Sequence, residues 1–276
     1  MTPTPIGPTR VVRGVAVPSI LYGTAWKAER TATLTAEAIG CGFRGIDMAN
    51  QRKYYVEAGA GEGIRSAIAA GTVTREQLFL QTKFTSKSGQ DHRLPYDPDA
   101  DVATQVRQSI DSSLEHIGVT RLNSYVLHGP SHTVGLADED WQAWRAMETA
   151  AQDGQIGFIG VSNVSAEQLA TFVEGAKIAP AFVQNRCFAR TRWDEGVRAV
   201  GLHRPEVGVP ELRTLLPPRP LGGQGNSLEG DGDRVRHHRN RSVTGRRRRP
   251  ATDPALGPTM GDVGLLPWIV AQRPRT

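Results

Sequence analysis

The chain has 276 residues, of which 38% are hydrophobic, with 33 Lys+Arg against 28 Asp+Glu. That length suits one large α/β barrel or two ordinary domains. No stretch approaches the ~18 consecutive apolar residues of a membrane helix, and the Pro-rich start MTPTPIGPTR lacks the apolar core of a signal peptide, so a soluble, cytoplasmic protein without a membrane partner is expected.

In chain order, residues 1–17 read as a polar N-terminal leader. PSILYGTAW reads as a short strand that turns at Gly23, and residues 28–40 as an Ala-rich helix closed by Gly40 and Gly42. Phe43 to Asp47 is a strand. Residues 55–70 are helical, with Ile64, Ala67 and Ile68 at helical spacing in spite of several Gly. QLFLQTKF is a second clear strand, followed by the polar loop SKSGQDHRLPYDP, whose length usually signals a role. Val102, Val106, Ile110 and Leu114 recur every four residues and predict an amphipathic helix over 99–117. Leu122 to Leu127 is a strand, 138–152 a Trp- and Ala-rich helix, and Ile156 to Val161 a strand. Ser165 caps a helix with Glu167 and Gln168 in its first turn, and Ala181 to Gln184 is a sixth strand. Strand and helix alternate at roughly 30-residue intervals, as parallel βα units do.

The pattern stops near residue 200, and so does the charge balance. Residues 1–200 carry 20 Lys+Arg and 21 Asp+Glu; residues 201–276 carry 13 Arg and 7 Asp+Glu. This last quarter also holds 10 of the 18 prolines, has no Lys, Phe, Tyr or Cys, and includes RVRHHRNRS and GRRRRP. Its composition is that of a low-complexity, disordered tail. Arg246 to Arg249 could contact phosphates, but without Lys, Phe or Tyr a nucleic-acid partner is the weaker reading. Cys41 and Cys187 have no metal-ligand spacing; both are read as buried thiols in a reducing compartment, and no metal site is expected.

Four polar residues fall at or just beyond strand ends: Asp47 in FRGIDMAN, Tyr54 in RKYYVEAG, Lys83 in LFLQTKF and His128 in NSYVLHGP. In a barrel of parallel strands such positions gather on the one face that carries chemistry. Together they can deliver a proton to a carbonyl oxygen. A phenol donates, an adjacent ammonium stabilises the phenolate, a carboxylate balances the ammonium, and an imidazole orients the carbonyl. No side chain carries a hydride, so a cofactor must. Taken singly, each has an ordinary reading: a turn cap, a surface phenol, a solvated lysine, a loop histidine. Their joint placement on successive βα units argues for chemistry.

The strings GTAW, GIDMANQRKYYVEAGAGEGI, LFLQTKF, LNSYVLHGP, IGFIGVSN and FVQNR, in that order over residues 18–198, resemble the aldo-keto reductase superfamily of NADPH-dependent (β/α)8 barrels. The resemblance implies reduction of an aldehyde or ketone to an alcohol, with the family tetrad on Asp47, Tyr54, Lys83 and His128. The usual tyrosine position, five after the aspartate, is here Arg52; anchoring on Glu57 and Gly61 selects Tyr54, with Tyr55 as the alternative. It further implies that Ser162, Asn163 and Gln184 hold the nicotinamide carboxamide, and that Trp26 and Phe84 line the substrate pocket. Gly129 stands where many relatives carry a bulkier residue. Some members of such families act instead as non-catalytic, cofactor-sensing subunits, which is the competing reading.

The resemblance covers a partial barrel, residues 18–200, of about six βα units. Beyond it, GLHRPEVGVPELRTL over 201–215, shifted by one base with allowed codons, permits a string containing YQSFEL. That string is similar to the family's seventh-strand pattern. The tail therefore reads as a frameshifted replacement of the last two units, with folding and cofactor binding impaired as a consequence; the coding DNA around codons 198–203 decides it.

Overall fold

The apolar runs between turns align side by side, and in the computed structural model of the chain they form a parallel sheet of curved-barrel type. The structure describes residues 2–185 and 195–203. A hairpin of β1 (Thr9–Val12) and β2 (Val15–Pro18) precedes β3 (Leu21–Gly23), β4 (Gly45–Asp47), β5 (Phe79–Phe84), β6 (Leu122–Leu127), β7 (Ile156–Ser162) and β8 (Phe182–Gln184). The last six pair in parallel in sequence order. The connections carry α1 (Thr31–Gly40), α2 (Glu57–Ala69), α3 (Val102–Ile117), α4 (Asp138–Gln152) and α5 (Ala166–Gly175), and α6 (Glu195–His203) follows β8. The alternation read from the sequence is thus recovered element by element, and the helical pattern runs slightly past residue 200. Beyond His203, the expected disordered tail and the expected frame shift lie outside the described residues, as does Cys187.

The helix ends follow their capping chemistry. Asp101 Oδ1 accepts a hydrogen bond from Thr104 N at 2.8 Å at the start of α3, and Gly118 closes it at φ 76°. Ser165 and Gln168 form a reciprocal capping box on α5. The glycines of α2, costly in an isolated helix, have a packing reason. A Cβ on Gly61 would lie 2.1 Å from His116 O, and one on Gly63 2.3 Å from Ala32 O. Bare backbone at these points lets α2 approach both α1 and α3.

Strand alternation sorts the core into two layers. Leu80, Phe84, Tyr125, Leu127, Ile159 and Val161 face the helices and pack with Ile64, Val106, Ile110, Trp144 and Phe172. On the inner face, Phe79, Phe158 and Phe182 meet at centroid distances of 5.3–6.4 Å. Val12 and Val17 of the hairpin join this inner cluster. The segment read as a polar leader therefore holds a hairpin that floors the barrel. Its turn, Arg13 and Gly14 at φ 46° and 83°, has the paired positive φ of a tight two-residue hairpin loop. Arg13 Nη2 donates to Ala179 O at 3.0 Å, tying the hairpin to the approach of β8.

Cys41, expected to be buried, is exposed at the end of α1. Among the described residues no helix is long and apolar enough to cross a membrane, and no group of three or more His, Cys, Asp or Glu is placed to hold a metal ion.

Truncating the inner aromatic cluster by Phe182→Ala should lower the unfolding free energy by about 3–5 kcal/mol, read from denaturant melts. Gly63→Ala should also destabilise, by ~1–3 kcal/mol through overpacking against α1, although Ala is the better helix former. Gly40→Ala, where a Cβ meets nothing within 4 Å, should be neutral or slightly stabilising in the same melts.

Candidate active site

The polar residues singled out in the sequence gather at one rim because parallel strands end together. The backbone ladder continues past several strand ends: Met48 N donates to Gln81 O at 2.8 Å, Asn50 N to Lys83 O at 3.2 Å, His128 N to Phe84 O at 2.9 Å, and Asn163 N to Gln184 O at 3.3 Å. Residues just beyond β4, β6 and β7 are held as firmly as the strands themselves. His128 and Asn163, with Lys83, Tyr54 and Tyr55, border a cleft of about 380 Å³.

At its floor Lys83 is only 1% exposed and Asp47 fully buried. Lys83 Nζ donates to Asp47 Oδ1 at 2.5 Å and to Met48 O at 2.7 Å. The carboxylate accepts two further bonds, from Gln81 Nε2 at 2.9 Å and Gln184 Nε2 at 3.0 Å. Gln81 and Gln184 are themselves joined at 3.1 Å. Burial pushes the Lys83 pKa below its ordinary value; the Asp47 charge opposes this most, and Glu57 adds to the opposition. Glu57, at the start of α2 on the helix side of the sheet, accepts from Thr82 Oγ1 at 2.5 Å and Ser113 Oγ at 3.1 Å, with His116 Nδ1 at 3.2 Å.

Of the two adjacent tyrosines, Tyr55 is the one beside the ammonium. It is 9% exposed, its ring centroid lies 5.5 Å from Lys83 Nζ, and the His128 ring stands edge-on to it at 6.2 Å. Tyr54, selected by spacing from Glu57, is 38% exposed and packs on Trp26 at 5.7 Å with Lys53 Nζ over its ring at 5.0 Å. The reason is local. Trp26 N donates to Tyr54 O at 2.8 Å, which pins that residue to the β3 loop, and the next residue turns inward. Spacing from a helical anchor could not reveal which of two successive side chains enters the barrel.

His128 lines the cleft, its Nδ1 lying 2.7 Å from Thr85 Oγ1. Asn163, at φ 53° in the left-handed region that Asn tolerates, donates Nδ2 to His128 O at 2.7 Å and to Ser162 Oγ at 3.1 Å. Ser162 Oγ donates to Gln184 O at 2.5 Å. Gln184 borders the cleft, but its amide turns inward to Asp47 and Gln81. Trp26, 67% exposed at φ 56°, forms the outer wall.

Phe84 is not part of this wall. It is 2% exposed, packs on Tyr96 at 5.7 Å and borders a neighbouring cavity with Val102 and Leu127. Lys83 points into the barrel, so its strand neighbour Phe84 must point to the helices. Gln51, Thr85, Ser86 and Ser88 also line the cleft, and sequence reasoning passed over them. Thr85 follows Lys83 by two positions, which by strand period places it on the same face, and that was the available signal.

Residues 19–209 match the aldo/keto reductase family. The chain is 32% identical over 252 residues to a morphine 6-dehydrogenase of Pseudomonas putida, spanning 88% of this chain and 69% of that one. Against the aldo-keto reductase AKR2E4 of Bombyx mori it is 34% identical over 151 residues, 53% of this chain and 44% of the relative. The crystal structure of that silkworm enzyme in complex with NADP is similar at a TM-score of 0.58 and 26% identity, over 71% of this chain and 64% of that one. Several relatives are therefore spanned over less than two thirds of their length. With parallel βα units, polar residues gathered at the strand ends and most of the described residues inside the match, the chain belongs to the aldo/keto reductase family.

Proposed function

We propose that this cleft reduces an aldehyde or ketone to an alcohol, with NADPH as hydride donor and Tyr55 as proton donor. One observation carries the reading: a buried ammonium, neutralised by Asp47, lies against the ring of a buried tyrosine whose other neighbour is His128 at the cleft. A phenol is a poor acid near neutral pH. The Lys83 charge favours the phenolate and so eases release of the proton to the carbonyl oxygen. Asp47 keeps Lys83 charged against the pull of burial, and Gln81 steadies Asp47. His128 hydrogen-bonds the carbonyl oxygen and orients it. Trp26, with the Tyr54 ring on it, forms the wall against which the rest of the substrate lies.

NADPH when bound supplies the hydride that no side chain can. The residues present fit its carboxamide in part. Ser162 and Asn163, at the rim, have the hydroxyl and amide groups that pair with a primary amide. Gln184 would join them only by releasing Asp47, so the proposal gives it first to the carboxylate. The Bombyx mori relative's complex with NADP supports the choice of cofactor.

Tyr55→Phe should lower kcat by roughly 10²–10⁴-fold, the usual worth of a positioned general acid, whereas Tyr54→Phe, which keeps the ring on Trp26, should stay within a few-fold of wild type. NADPH oxidation with a panel of aldehydes and ketones measures both. The reverse order of losses would return the proton-donor role to Tyr54.

A further inference from the structure

Thr85 sits directly beyond β5, 5% exposed, and belongs to neither the proton-donor pair nor the carboxamide site. Its hydroxyl lies 2.7 Å from His128 Nδ1. Its backbone is clamped: Thr85 O accepts from Tyr96 Oη at 2.8 Å and from Gln90 Nε2 at 3.3 Å. Tyr96 is 6% exposed and burial pushes its pKa up to about 12, so it remains a donor throughout the neutral range. Gln90 Nε2 also donates to Asn50 O at 2.7 Å, and Gln51 Nε2 donates to Gly89 O at 2.7 Å. The loop after β5 is thereby stitched to the loop that carries Tyr55. A threonine held this firmly presents its hydroxyl to the imidazole from a fixed point.

A neutral imidazole has one N–H and one lone pair, and the partner of one nitrogen decides the state of the other. If the Thr85 hydroxyl donates to Nδ1, the ring proton stays on Nε2, the remaining polar atom of a side chain that lines the cleft. His128 then offers a donor to a carbonyl oxygen. With the opposite tautomer, Nε2 would present a lone pair and repel that oxygen.

We propose that Thr85 is a positioning residue that sets the His128 tautomer, holding the proton on Nε2 toward the cleft. The assignment rests on the reductase reading for its purpose, but not for its test. In the full-length chain without nucleotide, ¹⁵N histidine spectra, with the His128 signals identified by their loss in His128→Gln, should show a pyrrole-type Nε2 and a pyridine-type Nδ1. Thr85→Val, close in shape but without the hydroxyl, should convert this to a mixture of tautomers. It should also lower kcat by about tenfold, the scale of one oriented hydrogen bond, with a smaller change in KM. Thr85→Ser should restore both the spectrum and most of the rate. An Nδ1-protonated ring in the wild-type chain, or a single Nε2–H tautomer that survives in Thr85→Val, would overturn the proposal. If Thr85→Val scrambles the tautomer in a chain that reduces no carbonyl, the reductase reading falls and the Thr85 assignment stands.

Discussion

A lysine ammonium withdrawn from water is the constraint around which the described structure is arranged. Burying such a charge costs several kcal/mol unless it is paired and its partner's lone pairs are filled. Here the filling is thorough: Asp47 receives Lys83, Gln81 and Gln184, and Lys83 also reaches Met48 O. These contacts need three strands, β4, β5 and β8, to end at the same height. The parallel register that aligns Asp47 with Gln81, and Gln184 with Ser162, is therefore an electrostatic requirement as well as a packing one. The inner face consequently changes character along the strands, from three phenylalanines at the floor to amides and charges at the rim.

Behind the sheet a second polar knot is made to the same standard. Glu57 begins α2, and its carboxylate binds Thr82 from β5 and Ser113 from α3. Asn50 Nδ2 donates to Ser109 O and Ser113 Oγ, joining α3 to the loop that carries the tyrosines. The helix layer thus fixes that loop from outside while the ion pair fixes it from within. The proton donor proposed for that loop would benefit from being held on both sides.

Much of this was legible in the sequence, for physical reasons that also explain the misses. Amphipathic segments such as the helix read over 99–117 and buried runs such as Leu122–Leu127 announce themselves by period; the strand appears where read, and the helix starts at Val102, behind its Asp101 cap. The meeting of Asp47, Lys83 and His128 at one rim was legible because parallel strands end together. What period could not supply was direction within short segments. Tyr54 and Tyr55 are chemically alike, and the backbone contact from Trp26 holds the first in its loop while the second lies beside Lys83. Phe84 was misplaced for the converse reason, since motif adjacency to Lys83 outweighed the alternation that sends it to the other face. The hairpin was missed because four-residue strands are shorter than any reliable period, although VVRGVAV carries a residue–Gly turn between valines. Gln184 shows a fourth kind of limit: an amide has several equally good partners, and Asp47 won.

The hairpin also bears on the order in which the chain can fold. Arg13 precedes its partner carbonyls, those of Ala179 and Pro180, by 166 and 167 residues, and Val12 and Val17 wait for Phe158 and Phe182. The neighbouring βα units can close on one another as they emerge, because their contacts are local in sequence. The floor cannot, because its contacts span most of the described chain and carry the largest loop-closure cost. During synthesis the inward face of the hairpin stays uncovered until 166 residues have followed Arg13. The walls can thus assemble first, with the hairpin sealing the floor last.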